Sequence, residues 1–379
     1  MPFDLHGLLR LAIERRASDL HLKVGAPPVL RIDHQLVPIQ DRPCLTQADL
    51  ETTVSLVTTE PQRQQFAQRR ELDLSYGVAE LGRFRTNLFQ QRGMVGVAFR
   101  VIPLKAETIE ELNLPPIIGK LAMEPRGMVL VTGTAGSGKS TTLAAMIGHI
   151  NNHRTGHIVT IEDPIEFLHA DNRCLINQRE VGIDTESFAD ALRSALRQDP
   201  DVILVGEMRD FDTIGTAIMA AETGHLVLST LHTIDAAETV NRIIAIFPPY
   251  QQEQIRLQLA SLLRGVISMR LIPRADGKGR VPAVEVMVAT ATIRECIADS
   301  DKTKKIPEFI AAGASEYGMQ TFDQSLLSLY RGGLVSYQEA LRWSSNPNDF
   351  ALNARGIETS ADQPWTAERK GGFRERKLH

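Results

Sequence analysis

Residues 129–141 read VLVTGTAGSGKST, and Gly133 to Ser140 match the pattern G-x-x-x-x-G-K-[ST] without exception. Glycines at 133, 136 and 138 allow successive backbone N–H groups to curl around phosphate oxygens, with Thr134, Ala135 and Ser137 between them. Lys139 carries the charge that neutralises the terminal phosphates, and the Ser140 hydroxyl is a ligand for Mg²⁺. Thr141 opens a helix-forming run, TTLAAMI, whose positive end points at the same anion. An apolar strand runs into the loop and a helix leaves it, which is the context the pattern requires. ATP with Mg²⁺ is the expected ligand.

Hydrolysis also needs acids at the same sheet edge. The run DVILVGEMRD ends its apolar stretch on Gly206 and then Glu207. A second apolar run, VTIEDPIE, ends on Glu162 and Asp163. Carboxylates at strand C-termini stand where ligands bind in open α/β sheets. One of them can orient or deprotonate the attacking water and another can hold the metal's waters, so Glu207 and Glu162 join Ser140 as metal candidates. A third run, GHLVLSTLHT, places Ser229, Thr230 and His232 at the same edge, where they could sense a terminal phosphate.

The elements that must position these groups follow from periodicity. Residues 1–103 read as a small α+β domain. A helix spans 4–16, strands follow near 19–23 and 29–32, and 46–68 is helical with Pro61 starting a second piece. Strands near 72–76, 83–91 and 93–102 complete an antiparallel sheet, the last two joined by a turn at Arg92-Gly93. Pro103, Pro115 and Pro116 mark residues 104–116 as a linker. From 117 strand and helix alternate, with apolar strands at 128–132, 157–161, 202–205 and 226–231, the pattern of a parallel α/β sheet. A helical section is expected from Pro282 to about residue 346. Residues 347–379, polar and basic towards their end, are expected to be a disordered tail.

At 379 residues the chain exceeds one ordinary core, and its 43% hydrophobic and 23% charged residues are those of a soluble globular protein. The net charge of −4 argues against a general binder of nucleic acid or anionic membrane. Charged residues interrupt the first helix, which excludes a secretion signal, and no run is apolar enough for a membrane span. Cys44, Cys174 and Cys296 fit neither a disulfide framework nor a zinc pair, as in a reduced cytoplasmic protein.

Taken in order, the phosphate loop, the acidic box VTIEDPIE, the strand VILVGEMRD and the histidine box GHLVLSTLHT resemble the secretion-superfamily ATPases, and among them the type IV pilus retraction ATPases. ASDLHL, PPVLRI, RFRTN and QREVG are similar as well, so the likeness covers residues 5–346. The zinc insert of the assembly and secretion ATPases is missing. TIRECI at 292–297 is similar to the A-I-R-N-L-I motif of retraction motors, with Glu295 and Cys296 replacing Asn and Leu. Thr134-Ala135 stand where Pro-Thr is usual.

The resemblance implies a PAS-like N-terminal domain, a RecA-like C-terminal domain and a homohexameric ring. It implies work at the cytoplasmic face of the inner membrane, against a pilus platform protein, with membrane contact only through partners. A paralogous pilus ATPase is a further possible partner, and no nucleic acid is implied. One subunit offers acids and a phosphate loop but no evident cation for the transition state. Arg83, Arg85, Arg92 and Arg100 lie in the other domain and could reach a nucleotide across a subunit interface. Alternation puts Arg83 and Arg85 on one strand face. The alternatives are an assembly or type II secretion ATPase, an accessory retraction paralogue, a ring subunit that binds nucleotide but barely hydrolyses it, and a RecA-like nucleic-acid translocase. Against the last stand the acidic balance and the lack of an aromatic-plus-basic channel stretch.

Overall fold

The computed structural model describes residues 3–32, 35–79, 81–103 and 106–356. The chain divides into two compact units, Met1–Ala106 with Asp163–Ala170, and Glu107–Glu162 with Asp171–His379.

The first unit opens with α1 (Leu5–Glu14), whose N-cap Asp4 accepts from the Gly7 N–H and whose buried face is Leu5, Leu8, Leu9 and Ala12. Strands β1 (Asp19–Lys23), β2 (Val29–Ile32) and β3 (Gln35–Pro38) follow, then α2 (Gln47–Val57) and α3 (Glu60–Arg69), then β4 (Glu71–Val78), β5 (Gly82–Gln91) and β6 (Met94–Ile102). They form one antiparallel sheet in the order β3-β2-β1-β6-β5-β4. The turn joining β5 to β6 has positive φ at both Arg92 (49°) and Gly93 (79°), the hairpin geometry whose twist matches the flanking strands. Strand β3 escapes sequence reading because all four of its residues are exposed, which erases the period-2 signal.

In the second unit α4 (Ile117–Ala122) leads to β7 (Gly127–Thr132), α5 (Lys139–His153), β8 (Gly156–Glu162) and β9 (Cys174–Glu180). Then come α6 (Phe188–Ala195), β10 (Val202–Val205), α7 (Phe211–Glu222), β11 (Leu226–Leu231), α8 (Ala236–Ala245) and α9 (Pro249–Leu262). Strands β12 (Leu263–Pro273) and β13 (Arg280–Val288) complete a seven-stranded sheet, ordered β13-β12-β7-β11-β10-β8-β9. All its pairs are parallel except β12 with β13. Every residue of β7, β10 and β11 is buried, as expected of strands covered on both faces. The loop-bearing strand β7 pairs with β11 and β12 rather than with β8, the next in sequence, and this order is that of the RecA-like core.

Three expectations change. Residues from 282 do not begin a helical section: β13 continues to Val288, its apolar residues pairing along the whole of β12, and helices resume at α10 (Ala291–Ala298). The stretch assigned to a linker is not one from residue 107 onward, because Ile109 and Leu114 are buried in the second unit's core with Ile118 and Leu121. Residues 104 and 105 lie outside the described residues.

Last, the helices α11 (Ile306–Ala312), α12 (Ala314–Tyr317), α13 (Phe322–Arg331) and α14 (Tyr337–Trp343) are followed by α15 (Pro347–Ala354), where a tail was expected. The cause is a single side chain. Phe350 is 2% exposed and joins Phe322, Leu326, Val335 and Ala340 against Ile272 and Val281 of the sheet edge. The remainder of the expected tail, 357–379, lies outside the described residues. Phe350→Ala should cost about 3 kcal/mol, the usual loss for an aromatic removed from a closed core, read as a lower urea midpoint of the second unit.

Candidate nucleotide-binding and catalytic site

The phosphate loop is shaped by what surrounds its glycines. Gly133 has φ of +142°, and a Cβ there would stand 2.5 Å from Ser137 Oγ and 2.6 Å from the Met269 carbonyl, so no larger residue fits. Gly136 (φ 72°) and Gly138 (φ 97°) adopt the left-handed turns that aim the intervening amides inward. The first bond of α5 runs from Thr142 N to Gly138 O, so the amides of Lys139, Ser140 and Thr141 precede the helical ladder and face the loop. Thr134, Ala135 and Gly136 form the exposed tip, while Ser137 is 3% and Lys139 9% exposed. Lys139 Nζ donates to the carbonyls of Gly133 and Thr134, both at 2.9 Å, which holds the ammonium inside the curl. The cradle suits a polyphosphate: backbone donors line it and one buried cation closes it.

The sheet brings the acid of β10 to this loop through β11. Ser229 Oγ donates to Val205 O and Thr230 Oγ1 to Gly206 O, each at 2.7 Å, and Met208 N donates to Thr230 O at 3.2 Å. Ser229 and Thr230 are therefore spent on the backbone around Glu207 and fix its turn; they are not poised as phosphate sensors. The Glu207 side chain is about one quarter exposed and stands between Arg209 Nη2 at 2.7 Å and His232 Nε2 at 3.7 Å. Burial pushes the His232 pKa below the usual histidine range, and the positive charges of Lys139 and Arg209 add to this, while Glu207 opposes it. A neutral imidazole beside a carboxylate can accept a proton or steer a water.

Glu162 ends β8, where its Oε1 accepts from Thr160 Oγ1 at 2.6 Å and Gln178 Nε2 at 3.2 Å. Thr160 and Gln178 were not anticipated. Both signals are visible in principle, a hydroxyl two residues back on the same strand face and an amide opening the QREVG run, which the structure places on β9 in register with Thr160. The acidic box is divided between the units: Glu162 belongs to the second and Asp163, exposed, to the first. Ser140, Glu207 and Glu162 offer hard oxygen donors, and Mg²⁺ takes few protein ligands alongside phosphate oxygens, so the donor set fits that ion. No cluster of three or more metal-ligating side chains occurs among the described residues.

The arginines form a row of their own in the first unit. Arg85 on β5 pairs in register with Arg100 on β6, Arg100 with Asp19 on β1, and Asp19 with Arg31 on β2, so all four share one sheet face. Arg100 Nε donates to Asp19 Oδ1 at 3.0 Å and Arg31 Nε lies 3.7 Å from Asp19 Oδ2. Directly opposed like charges repel, and the single acid offsets part of that cost. Arg83 lies two residues from Arg85 on the same face, with Phe84 and Thr86 buried on the other.

A RecA-like sheet that carries a phosphate loop, a strand-end glutamate and a histidine box at one edge defines an ATPase, and the chain belongs to the family described as "Type II/IV secretion system protein", which matches residues 4–342. Within that family it is similar to two proteins of Pseudomonas aeruginosa. The "Type IV pilus retractation ATPase PilT" is 46% identical over 347 residues, covering 92% of this chain and all of that protein. The "Type IV pilus ATPase PilU" is 41% identical over 360 residues, 95% and 94% of the two chains. The solved structure of the pilus retraction motor PilT with bound ADP superposes with a TM-score of 0.84 at 45% identity, covering 91% of this chain and 98% of that one. The A-I-R-N-L-I-like segment lies on α10, where Ile293, Cys296 and Ile297 are buried and Arg294 and Glu295 exposed. Cys296 thus fills the core position expected of Leu. No described helix is long and apolar enough to cross a membrane.

One further acid lies beneath the site. Glu285 on β13 is 6% exposed, and burial pushes its pKa from 4.5 up to about 7, against the opposing effect of its hydrogen bond from Ala236 N. The folded chain holds this proton more tightly than the unfolded chain does. The stabilisation is therefore full below pH 4.5 and is lost as the pH rises through 7, a change of about 3 kcal/mol. Urea unfolding at pH 5 and pH 8 should show Glu285→Gln gaining stability over the parent by roughly that amount at the higher pH.

Proposed function

We propose that this chain is the motor ATPase of type IV pilus retraction, acting as a homohexameric ring that converts ATP hydrolysis into extraction of pilin subunits. The observation that carries this reading is the meeting of Glu207, His232 and the Lys139 loop at one sheet edge, in a chain similar over 92% of its length to a named retraction motor. The loop amides and Lys139 hold the phosphates. Mg²⁺, held through Ser140 with Glu207 and Glu162 nearby, neutralises phosphate charge when bound. Glu207 orients and deprotonates the attacking water, and the neutral His232 imidazole fixes the carboxylate and relays its proton. Asp163 is held in reserve as a second acid of the box.

Arg85, supported by Arg83 and Arg100, reaches the nucleotide bound by a neighbouring subunit and stabilises charge in the transition state. Loss of the terminal phosphate then releases one domain against the other, the hinge motion that does mechanical work. The ring works at the cytoplasmic face of the inner membrane through a platform protein.

A second reading, an accessory paralogue that assists a main retraction motor, draws support from the 41% identity to PilU and from the Glu295 and Cys296 departures on α10. Counting surface pili and scoring twitching in cells carrying Lys139→Ala separates these readings. Many pili without motility mark a retraction motor, bald cells an assembly motor, and unchanged cells an accessory role.

At the enzyme level, Glu207→Gln should lower kcat by roughly 10²–10⁴-fold while ATP still binds, measured by steady-state turnover and by nucleotide titration. Arg85→Ala should be equally inactive alone. Mixing the Glu207→Gln and Arg85→Ala chains should restore up to about a quarter of parental turnover, because random rings rebuild complete sites at some interfaces. No recovery on mixing would place the arginine's role within its own subunit.

A further inference from the structure

Glu285 is buried where a strand of a hydrophobic sheet would accept valine, and none of the catalytic steps uses it. Its neighbours on the sheet form a polar row: Glu285 of β13 is in register with Ser268 of β12, and Ser268 with Thr132 of β7, the residue that enters the phosphate loop. Thr132 Oγ1 donates to Ser268 Oγ at 3.0 Å. The charged groups facing Glu285 are Asp235 at the N-cap of α8, Arg270 of β12 and Asp323 of α13. Arg270 is committed elsewhere, donating to Trp343 O at 2.8 Å with its guanidinium 3.8 Å above the Phe322 ring. With two acids and one occupied arginine around it, Glu285 is not buried to complete an ion pair.

Its directed bond goes to the backbone. Glu285 Oε1 accepts from the N–H of Ala236 at 2.9 Å, and Ala236 is the first residue of α8. Neighbouring groups are closed locally: Asp235 Oδ1 accepts from Glu238 N at 2.7 Å, and Glu238 Oε2 accepts from Ile234 N at 3.0 Å. The Thr233 and Thr239 hydroxyls meet at 2.6 Å, and Thr239 Oγ1 also donates to Asp235 O. The segment 233–235 is therefore cross-linked to the first turn of α8. Besides the chain that continues from β11 through His232, the start of α8 is joined to the sheet by the hydrogen bond that Glu285 of β13 accepts.

We infer that Glu285 is a positioning residue for His232: by anchoring the first amide of α8 to β13, it sets where the imidazole stands beside Glu207. The inference rests on the catalytic role proposed for His232. A shift of the anchor moves the imidazole relative to Glu207 and lowers turnover without weakening the phosphate cradle, since the cradle belongs to β7 and α5.

Two substitutions attack the bond from opposite sides. Glu285→Ala removes the acceptor. Ala236→Pro removes the donor at the helix position where proline is tolerated, after a residue (Asp235, φ −152°, ψ 174°) already in the extended conformation that proline demands. Either variant keeps the test alive should the other fail to fold. In the full-length chain each should lower kcat about tenfold with KM for ATP within about twofold of the parent. Glu285→Gln, whose amide oxygen can accept the same bond, should recover most of the loss.

The defect should vanish in a His232→Ala background, the double variant turning over no more slowly than His232→Ala alone. Hydrogen–deuterium exchange should rise across residues 232–240 in Glu285→Ala and stay at the parental level in Glu285→Gln. Full additivity with His232→Ala, or unchanged exchange across 232–240, overturns the inference. Parental chains lacking Lys139-dependent turnover would instead overturn the proposed ATPase function, with the exchange experiment still deciding whether Glu285 anchors α8.

Discussion

The placement of β11 between β7 and β10 is the constraint on which the site depends. The phosphate loop leaves β7 and Glu207 follows β10, and these strands are not paired with each other. Their relation is set by β11, which pairs with β7 along its whole length and with β10 from Leu226 to Ser229, and whose Ser229 and Thr230 hydroxyls bond to the carbonyls just before Glu207. A buried Ser or Thr side chain without a partner is costly, whereas two such hydroxyls each matched to one carbonyl form a rigid brace. The histidine box is thus first a structural splice between two strands, and His232 emerges from it to stand beside Glu207.

Charge is rationed accordingly. Among the functional groups, Lys139 is folded onto two carbonyls, Glu207 is held between an arginine and a histidine, and Glu162 is held by a threonine and a glutamine. Each of these polar groups is held by named partners, so none is left unsatisfied where it is withdrawn from solvent. In the first unit the opposite tactic appears. Arg85 and Arg100 are opposed on one face with a single acid nearby, a surplus of positive charge that isolated folding would not favour and that an incoming anion would relieve.

Much of this was legible in the residues. The glycine spacing, the strand-end acids and the continuous apolar runs of β7, β10 and β11 announce a parallel sheet with a phosphate loop, because fully buried strands and helix-terminal anion sites leave strong local marks. What stayed hidden depended on distant partners. Strand β13 is hidden because a proline argues against a strand interior, yet on the outermost strand a missing N–H costs little. The burial of Phe350, and hence α15, depends on a surface made by β12, β13 and α13. Ser229 and Thr230 could be placed at the right edge from sequence, but whether a hydroxyl faces ligand or backbone is decided by the neighbouring strand. Glu285 gave no signal at all, since a lone acid in an apolar run has no local signature of what it holds.

The allotment of residues 163–170 to the first unit means that its covalent boundary and its physical boundary do not coincide. A gene fragment ending after β6 would encode a sheet lacking a segment that is supplied from between β8 and β9, some sixty residues later. The acidic box straddles that division, Glu162 in the second unit and Asp163 in the first, so an insertion or deletion there alters both at once.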